Sequence, residues 1–220
     1  MKDRIKAIIF DVGGVLVLGK YALHPKREHR ELGVHEHIVK KLGISLDQYF
    51  DSLDTAYAKS IEGKISKQKA LKTISKNLEI SKRKLERVFI KAYKENFKQN
   101  KELYNLAFKL KKQGYKIAIL SDQWYLSKEA LISKKYTKKF NVVVVSCDVG
   151  IRKPNSKIYK LVLRKLKFPA KNTVFIDNQE WNLNPAKKIG MNAILFKNNK
   201  QLFKELKKLG VRSVWISKNF

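Results

Sequence analysis

This chain is poor in cysteine, proline and acidic residues, and each shortage excludes something. Cys147 is the only cysteine in 220 residues, which rules out an intramolecular disulfide framework and any cysteine-based zinc site. Four prolines and ten glycines are too few for a collagen-like or proline-rich linker architecture. No apolar run approaches the ~20 residues that a membrane helix needs. The longest runs, such as Asn141-Val142-Val143-Val144-Val145, have the length of a strand. The first residues show no signal-peptide pattern, so the expectation is a soluble cytoplasmic protein.

Acids are scarce against bases: 19 Asp and Glu stand against 49 Lys and Arg, a formal net charge of +30. Such a balance raises the question of a nucleic-acid partner. Only eight of the basic residues are arginine, however, and the lysines are scattered along nearly every helical stretch. Pairs such as Lys40-Lys41 and Lys187-Lys188 occur, but there is no basic tail and no basic run interleaved with aromatics. Specific phosphate and base gripping leans on arginine. The charge therefore reads as solvated helix faces that steer small anions toward a cleft, and not as a nucleic-acid or membrane surface.

What is present is a 44% hydrophobic complement, enough for one sizeable core, or a core with an inserted lobe. The first apolar run, Ile5 to Phe10, ends in Asp11 and is followed by Val12-Gly13-Gly14-Val15-Leu16. A buried strand that ends in a carboxylate and two glycines puts that carboxylate where open α/β sheets bind ligands. Strands are expected at Tyr115–Leu120, Asn141–Val145, Thr173–Ile176 and Ala193–Phe196, with a last candidate at Ser213–Ile216. Amphipathic helices alternate with them at Asn100–Gln113, Ser156–Leu166, Asn184–Ile189 and Lys200–Leu209. Alternation predicts a Rossmann-like parallel sheet with helices on both faces. Between Gly19 and Gln99 no strand is expected. Helical patterns run over Lys26–Leu42, Ser45–Glu62, Lys67–Asn77 and Ser81–Phe97, the last capped by Ser81. The division expected is an α/β core of residues 1–18 and 99–220 with an all-helical cap of residues 19–98 over Asp11.

Three further polar residues follow predicted strands: Ser121, Lys153 and Asp177. Parallel strands bring these to one sheet edge with Asp11. A carboxylate nucleophile, a hydroxyl, an ammonium and a second acid together make a phosphate site. The hydroxyl and backbone N–H groups hold phosphoryl oxygens, the lysine neutralises developing charge, and Asp177 helps hold a divalent cation.

At these four motifs the chain resembles the haloacid dehalogenase (HAD) superfamily of hydrolases, over essentially its whole length. The motifs are Phe10-Asp11-Val12-Gly13-Gly14, Ile119-Leu120-Ser121, Arg152-Lys153-Pro154-Asn155 and Phe175-Ile176-Asp177-Asn178. The helical insert, including Glu62-Gly63-Lys64, resembles the family's C1-type cap. Within the superfamily, the sequence is most similar to glucose-1-phosphatase-like and epoxide-hydrolase N-terminal phosphatase-like members. The resemblance implies that Asp11 attacks phosphorus to form an aspartyl-phosphate, with Ser121, Lys153 and the Gly13-Gly14 loop holding the phosphoryl group. It implies Mg2+ on the Asp11 carboxylate, the Gly13 carbonyl, Asp177 and Asn178, and a small phosphorylated metabolite as substrate.

Three positions depart from the family pattern. Gly13 stands where a second Asp usually serves as acid and base, and Asn178 stands where an Asp commonly binds metal. Asp122 stands where Asn is common and adds a carboxylate beside the phosphate pocket, to repel phosphate, restore charge near the metal or act as acid. His24, His29, His35 and His37 all fall in the cap; each is a candidate replacement acid, and each is also simply a surface helix residue. Trp124 and Trp181 flank the motifs, where they could line a substrate pocket; packing under the cap is the role expected. Two other readings stay open: a metal-independent 2-haloacid dehalogenase, and a catalytically weak scaffold that binds nucleic acid.

Overall fold

The computed structural model describes residues 5–19 and 33–212. His24, His29, the first part of the Lys26–Leu42 helix and the Ser213–Ile216 strand lie outside them. Strands β1 (Ala7–Phe10) and β2 (Val17–Gly19) come first. Four helices follow: α1 (Val34–Leu42), α2 (Leu46–Ile61), α3 (Lys67–Asn77) and α4 (Lys82–Asn96). Strand β3 (Phe97–Gln99), helix α5 (Lys101–Lys112) and strand β4 (Lys116–Ser121) lead back to the sheet. Helices α6 (Tyr125–Leu131) and α7 (Lys134–Thr137) precede β5 (Val142–Val145), and the short α8 (Ser146–Val149) precedes α9 (Ser156–Leu166). Strand β6 (Thr173–Asp177), helix α10 (Glu180–Lys188), strand β7 (Asn192–Leu195) and helix α11 (Asn199–Lys208) complete the described chain.

The sheet has the order β5-β4-β1-β6-β7, and every neighbouring pair is parallel. Side chains alternate across it. Ile8, Phe10, Ile117, Ile119, Val174 and Ile176 face one hydrophobic cluster, while Ala7, Ile9, Ala118, Leu120 and Phe175 face a second. Both faces are covered, as a parallel sheet requires. The register pairs Phe10 with Ile119 and with Ile176. The next residue along β1, Asp11, is thus level with Leu120 and Asp177.

The helices begin where the sequence supplies an acceptor for their free N–H groups. Ser45 and Gln48 form a capping box at α2, Ser66 caps α3 through Lys69 N–H, and Ser81 caps α4 through Lys84 N–H. The Ser45–Glu62 pattern is not one continuous helix: α2 breaks at Asp54, with φ 44° and ψ −153°.

Two expectations need correction. A two-stranded antiparallel ribbon joins β2 to β3, pairing Val17 with Gln99 and Gly19 with Phe97. Three-residue strands are too short to show a period of two, so the sequence pattern concealed them. Helix α10 starts at Glu180, four residues before the expected Asn184, and carries Pro185 inside it. A proline's missing N–H costs nothing in a helix's first turn, whereas Pro185 falls in the second turn of α10.

The four inserted helices do not pack on themselves alone. Leu53, Ala56, Phe89 and Tyr93 belong to the same buried cluster as Phe10 and Trp124. Trp124, 1% exposed, meets the rings of Tyr57 and Phe89 at centroid distances of 5.3 and 5.5 Å. Its indole N–H donates to the Tyr93 hydroxyl at 3.0 Å. Burying one such ring removes ~150–250 Å2 from water, roughly 4–6 kcal/mol before entropy costs. At Gly63 (φ 64°) the insert touches the sheet edge backbone to backbone: a Cβ there would lie 2.9 Å from the Cys147 carbonyl and 3.1 Å from Gly150 Cα.

Candidate active site

Asp11 leaves β1 with its N–H donating to the Ile176 carbonyl at 2.9 Å. The chain then turns tightly. Gly14 N–H donates to the Val17 carbonyl and Val17 N–H to the Val12 carbonyl, both at 2.8 Å. Gly14 has φ 78°, and a Cβ on it would lie 2.6 Å from Asn178 Cγ. Only glycine permits this turn with Asn178 packed against it.

The four residues expected at the sheet edge do converge. Lys153, 3% exposed, places Nζ 2.6 Å from Asp177 Oδ2 and 3.2 Å from Asp11 Oδ1. The same ammonium lies 5.5 Å from the centre of the Phe175 ring. Ser121 is fully buried at the end of β4, where its hydroxyl favours the charged Asp11 carboxylate. Asp122 stands at the rim, where its Oδ1 accepts the Lys153 backbone N–H at 3.1 Å.

Electrostatics follow from burial. Loss of water pushes the Asp11 carboxyl up to about 6; Lys153 pulls it down, Asp177 pushes it further up, and the Val12 N–H and Ser121 hydroxyl lower it. Burial pulls the Lys153 ammonium down, but Asp11, Asp177 and Asp122 outweigh that and hold it above its ordinary value. Burial likewise raises the Asp122 carboxyl, against the lowering pull of Lys153, its backbone N–H and Arg152. The lysine is thus a fixed cation and Asp11 a carboxylate with an incomplete set of partners. Its Oδ1 is buried and accepts no hydrogen bond, because Lys153 is aimed at Asp177.

The same carboxylate bears on the metal. Magnesium usually takes one or two protein carboxylates and completes its octahedron with water and phosphate. The Asp11 carboxylate, through the oxygen not used for attack, with the Gly13 carbonyl and the Asn178 side chain that packs against Gly14, fits such a minimal set. Asp177 also has a structural task. Its Oδ1 accepts Gln179 N–H at 2.8 Å, and its Oδ2 accepts Lys153 and the Asn182 amide at 2.6 and 3.1 Å. It holds the lysine in place with both oxygens already engaged. Among the described residues, no group of three or more His, Cys, Asp or Glu side chains is gathered to hold a metal.

A family model for haloacid dehalogenase-like hydrolases matches residues 5–190. The chain belongs to that family. The haloacid dehalogenase-like hydrolase shares 32% identity over 115 residues with bifunctional epoxide hydrolase 2 of Rattus norvegicus, covering 50% of this chain and 21% of that protein. The chain therefore matches about a fifth of that relative's length. A HAD family enzyme from Bacteroides thetaiotaomicron, crystallised with magnesium and inorganic phosphate, superposes with a TM-score of 0.70 at 21% identity, covering 90% of this chain and 99% of that one. A HAD phosphatase from Thermococcus onnurineus superposes with a TM-score of 0.62 at 21% identity, covering 96% and 100%. At these identities the structural likeness speaks to the fold.

Several residues of this HAD-like hydrolase were missed or misjudged from sequence. Gln123 is 8% exposed, and its Nε2 donates to Ser121 Oγ at 3.2 Å. Only its place two residues beyond a strand-end serine pointed to it. Asn182 steadies Asp177 from the first turn of α10, and its carbonyl accepts the Tyr159 hydroxyl at 2.7 Å. Trp181 does not pack under the helical insert; it is 61% exposed, because α10 begins earlier and turns this position outward. Trp124 does pack as expected. His35 Nδ1 lies 2.9 Å from the Tyr49 hydroxyl, and His37 bridges Asn96 and Glu95 at 3.0 Å each. Both histidines are thus engaged within the inserted helices.

Proposed function

We propose that the protein is a Mg2+-dependent phosphatase of small phosphorylated metabolites that works through an aspartyl-phosphate. One observation carries this reading: a buried Asp11 oxygen without a hydrogen bond, 3.2 Å from a lysine that Asp177 anchors at 2.6 Å. A carboxylate oxygen that faces a cation but accepts no aligned hydrogen bond keeps a lone pair for attack. A fixed cation beside it is preorganised for phosphoryl charge and needs no reorganisation during reaction.

In this mechanism Asp11 attacks phosphorus in line with the leaving alkoxide. Ser121 and Lys153 hold the phosphoryl oxygens, and the backbone of the Gly13-Gly14 turn closes the cradle. Asp177 and Asn182 keep Lys153 aimed. Asp11, the Gly13 carbonyl and Asn178 would hold magnesium, which supplies charge neutralisation for the bound phosphate. With no carboxylate at Gly13, the leaving group draws its proton from water or from Asp122, whose raised pKa suits a donor. The helices of residues 19–98 act as the cap and exclude large substrates, while the scattered lysines steer small anions inward. No nucleic-acid partner is needed to account for the charge.

Gly13 also favours a second reading, the metal-independent 2-haloacid dehalogenase, which needs an aspartate nucleophile but no second acid. The test is hydrolysis of p-nitrophenyl phosphate with and without Mg2+, and chloride release from 2-chloropropionate, on the native chain and Asp11→Asn. Phosphate release that requires Mg2+ and falls by more than about a thousandfold in the variant is expected. Chloride release without phosphate release would give the second reading the site.

A further inference from the structure

We infer that Gln123 orients the water that hydrolyses the aspartyl-phosphate, standing in space for the side chain that residue 13 lacks. The inference rests on the phosphatase reading above and concerns its second step. Three observations converge on this amide. A Cβ built on Gly13 meets no heavy atom nearer than Gln123 Nε2, at 4.0 Å, so the amide borders the volume that a side chain at position 13 would enter. The same Nε2 donates to Ser121 Oγ at 3.2 Å, and the Ser121 hydroxyl favours the charged form of Asp11. The residue is also locked from behind: Ser146, fully buried, accepts Gln123 N–H at 3.1 Å and donates to its carbonyl at 3.3 Å. Trp124, next in the chain, is pinned by Tyr93. A buried amide on a backbone fixed by Ser146, with its Nε2 on Ser121 beside Asp11, is a preorganised polar group of the kind that positions a reactant.

The chemistry balances without a base on the protein. Water oxygen bonds to phosphorus, the bond from phosphorus to the Asp11 oxygen breaks, and the carboxylate leaves with its electron pair. One water proton passes to a phosphoryl oxygen, giving dihydrogen phosphate and free Asp11. An amide can accept a hydrogen bond from the attacking water through Oε1 while its Nε2 stays on Ser121, but it cannot take the proton. A carboxylate at position 13 could do both.

The test is rapid-quench kinetics with p-nitrophenyl phosphate on the native chain, Gln123→Ala and the nearly isosteric Gln123→Met, with folding checked by thermal melting. In both variants the first turnover should release close to one equivalent of p-nitrophenolate at near the native rate. Steady-state turnover should then fall on the order of 100-fold as phosphoenzyme accumulates. Because a Cβ on Gly13 meets no steric block, the double variant Gly13→Asp/Gln123→Ala should recover steady-state turnover, since the new carboxylate enters the vacated space. Variants that slow the first turnover and the steady state equally would overturn the inference, because Gln123 would then only shape the Ser121 pocket. Native-like kinetics in both variants would overturn it as well. A native chain that forms no phosphoenzyme and releases no phosphate would instead sink the phosphatase reading itself.

Discussion

Replacing Asp11 should make this protein more stable at neutral pH. Burial raises the Asp11 carboxyl from 3.8 to about 6, so the folded chain binds that proton more tightly than the unfolded chain. Folding stability then falls as pH rises between those values. The destabilisation is absent below about pH 4 and complete above about pH 6. Two units at 1.36 kcal/mol each give a cost on the order of 3 kcal/mol. Asp11→Asn removes the charge and leaves Lys153 paired with Asp177 at 2.6 Å, so no cation is stranded. In urea denaturation with EDTA, the variant should exceed the native chain by up to about 3 kcal/mol at pH 7 to 8, and the gap should close toward pH 4. A variant that is equally or less stable at pH 8, or a gap that does not change with pH, would refute the argument that Asp11 is an under-compensated buried charge.

Lys153→Met should do the opposite, leaving Asp177 buried without its cation; a loss of about 3–5 kcal/mol in the same denaturation experiment is expected. Asn178→Asp adds charge to the proposed magnesium set, so the Mg2+ concentration for half-maximal activity should fall several-fold in a metal titration. Gly63→Val places a β-branched side chain at φ 64° against the Cys147 carbonyl and Gly150. It should loosen the inserted helices from the sheet edge, read as faster proteolysis between residues 62 and 66 and a raised KM. Tyr93→Phe removes the partner of the Trp124 indole and should cost about 1 kcal/mol in thermal or urea melts.

The strand-end residues were legible because the apolar runs of β1, β4 and β6 each stop at a polar position, and Lys153 follows β5 after the short α8. In a parallel sheet those positions must share an edge, so Asp11, Ser121, Lys153 and Asp177 could be grouped without coordinates. The helix starts at Ser45, Ser66 and Ser81 were equally readable, since a capping hydroxyl followed by amphipathic spacing has one physical reading. What escaped depends on three-dimensional neighbours. Asp177 reads from sequence as a metal ligand, yet the donors that occupy it come from Lys153, 24 residues before it, and from Asn182. Gln123 acquires meaning only from empty space over Gly13 and from Ser146, 23 residues on. Trp181 was misjudged because closeness to a motif in sequence does not say which way a side chain faces, and this one is exposed.

The β2–β3 ribbon also bears on how the chain folds. Strands β1 and β4 are neighbours in the sheet, with Ala7 opposite Lys116, yet more than a hundred residues separate them. If the inserted helices assemble first and the ribbon zips Val17 onto Gln99, the excursion is tied off at its base. The loop that remains to be closed shrinks about four-fold, which lowers the entropic cost of that closure by about 1.2 kcal/mol. The central strand pairing then behaves as a more local contact than its sequence separation suggests, which favours faster folding.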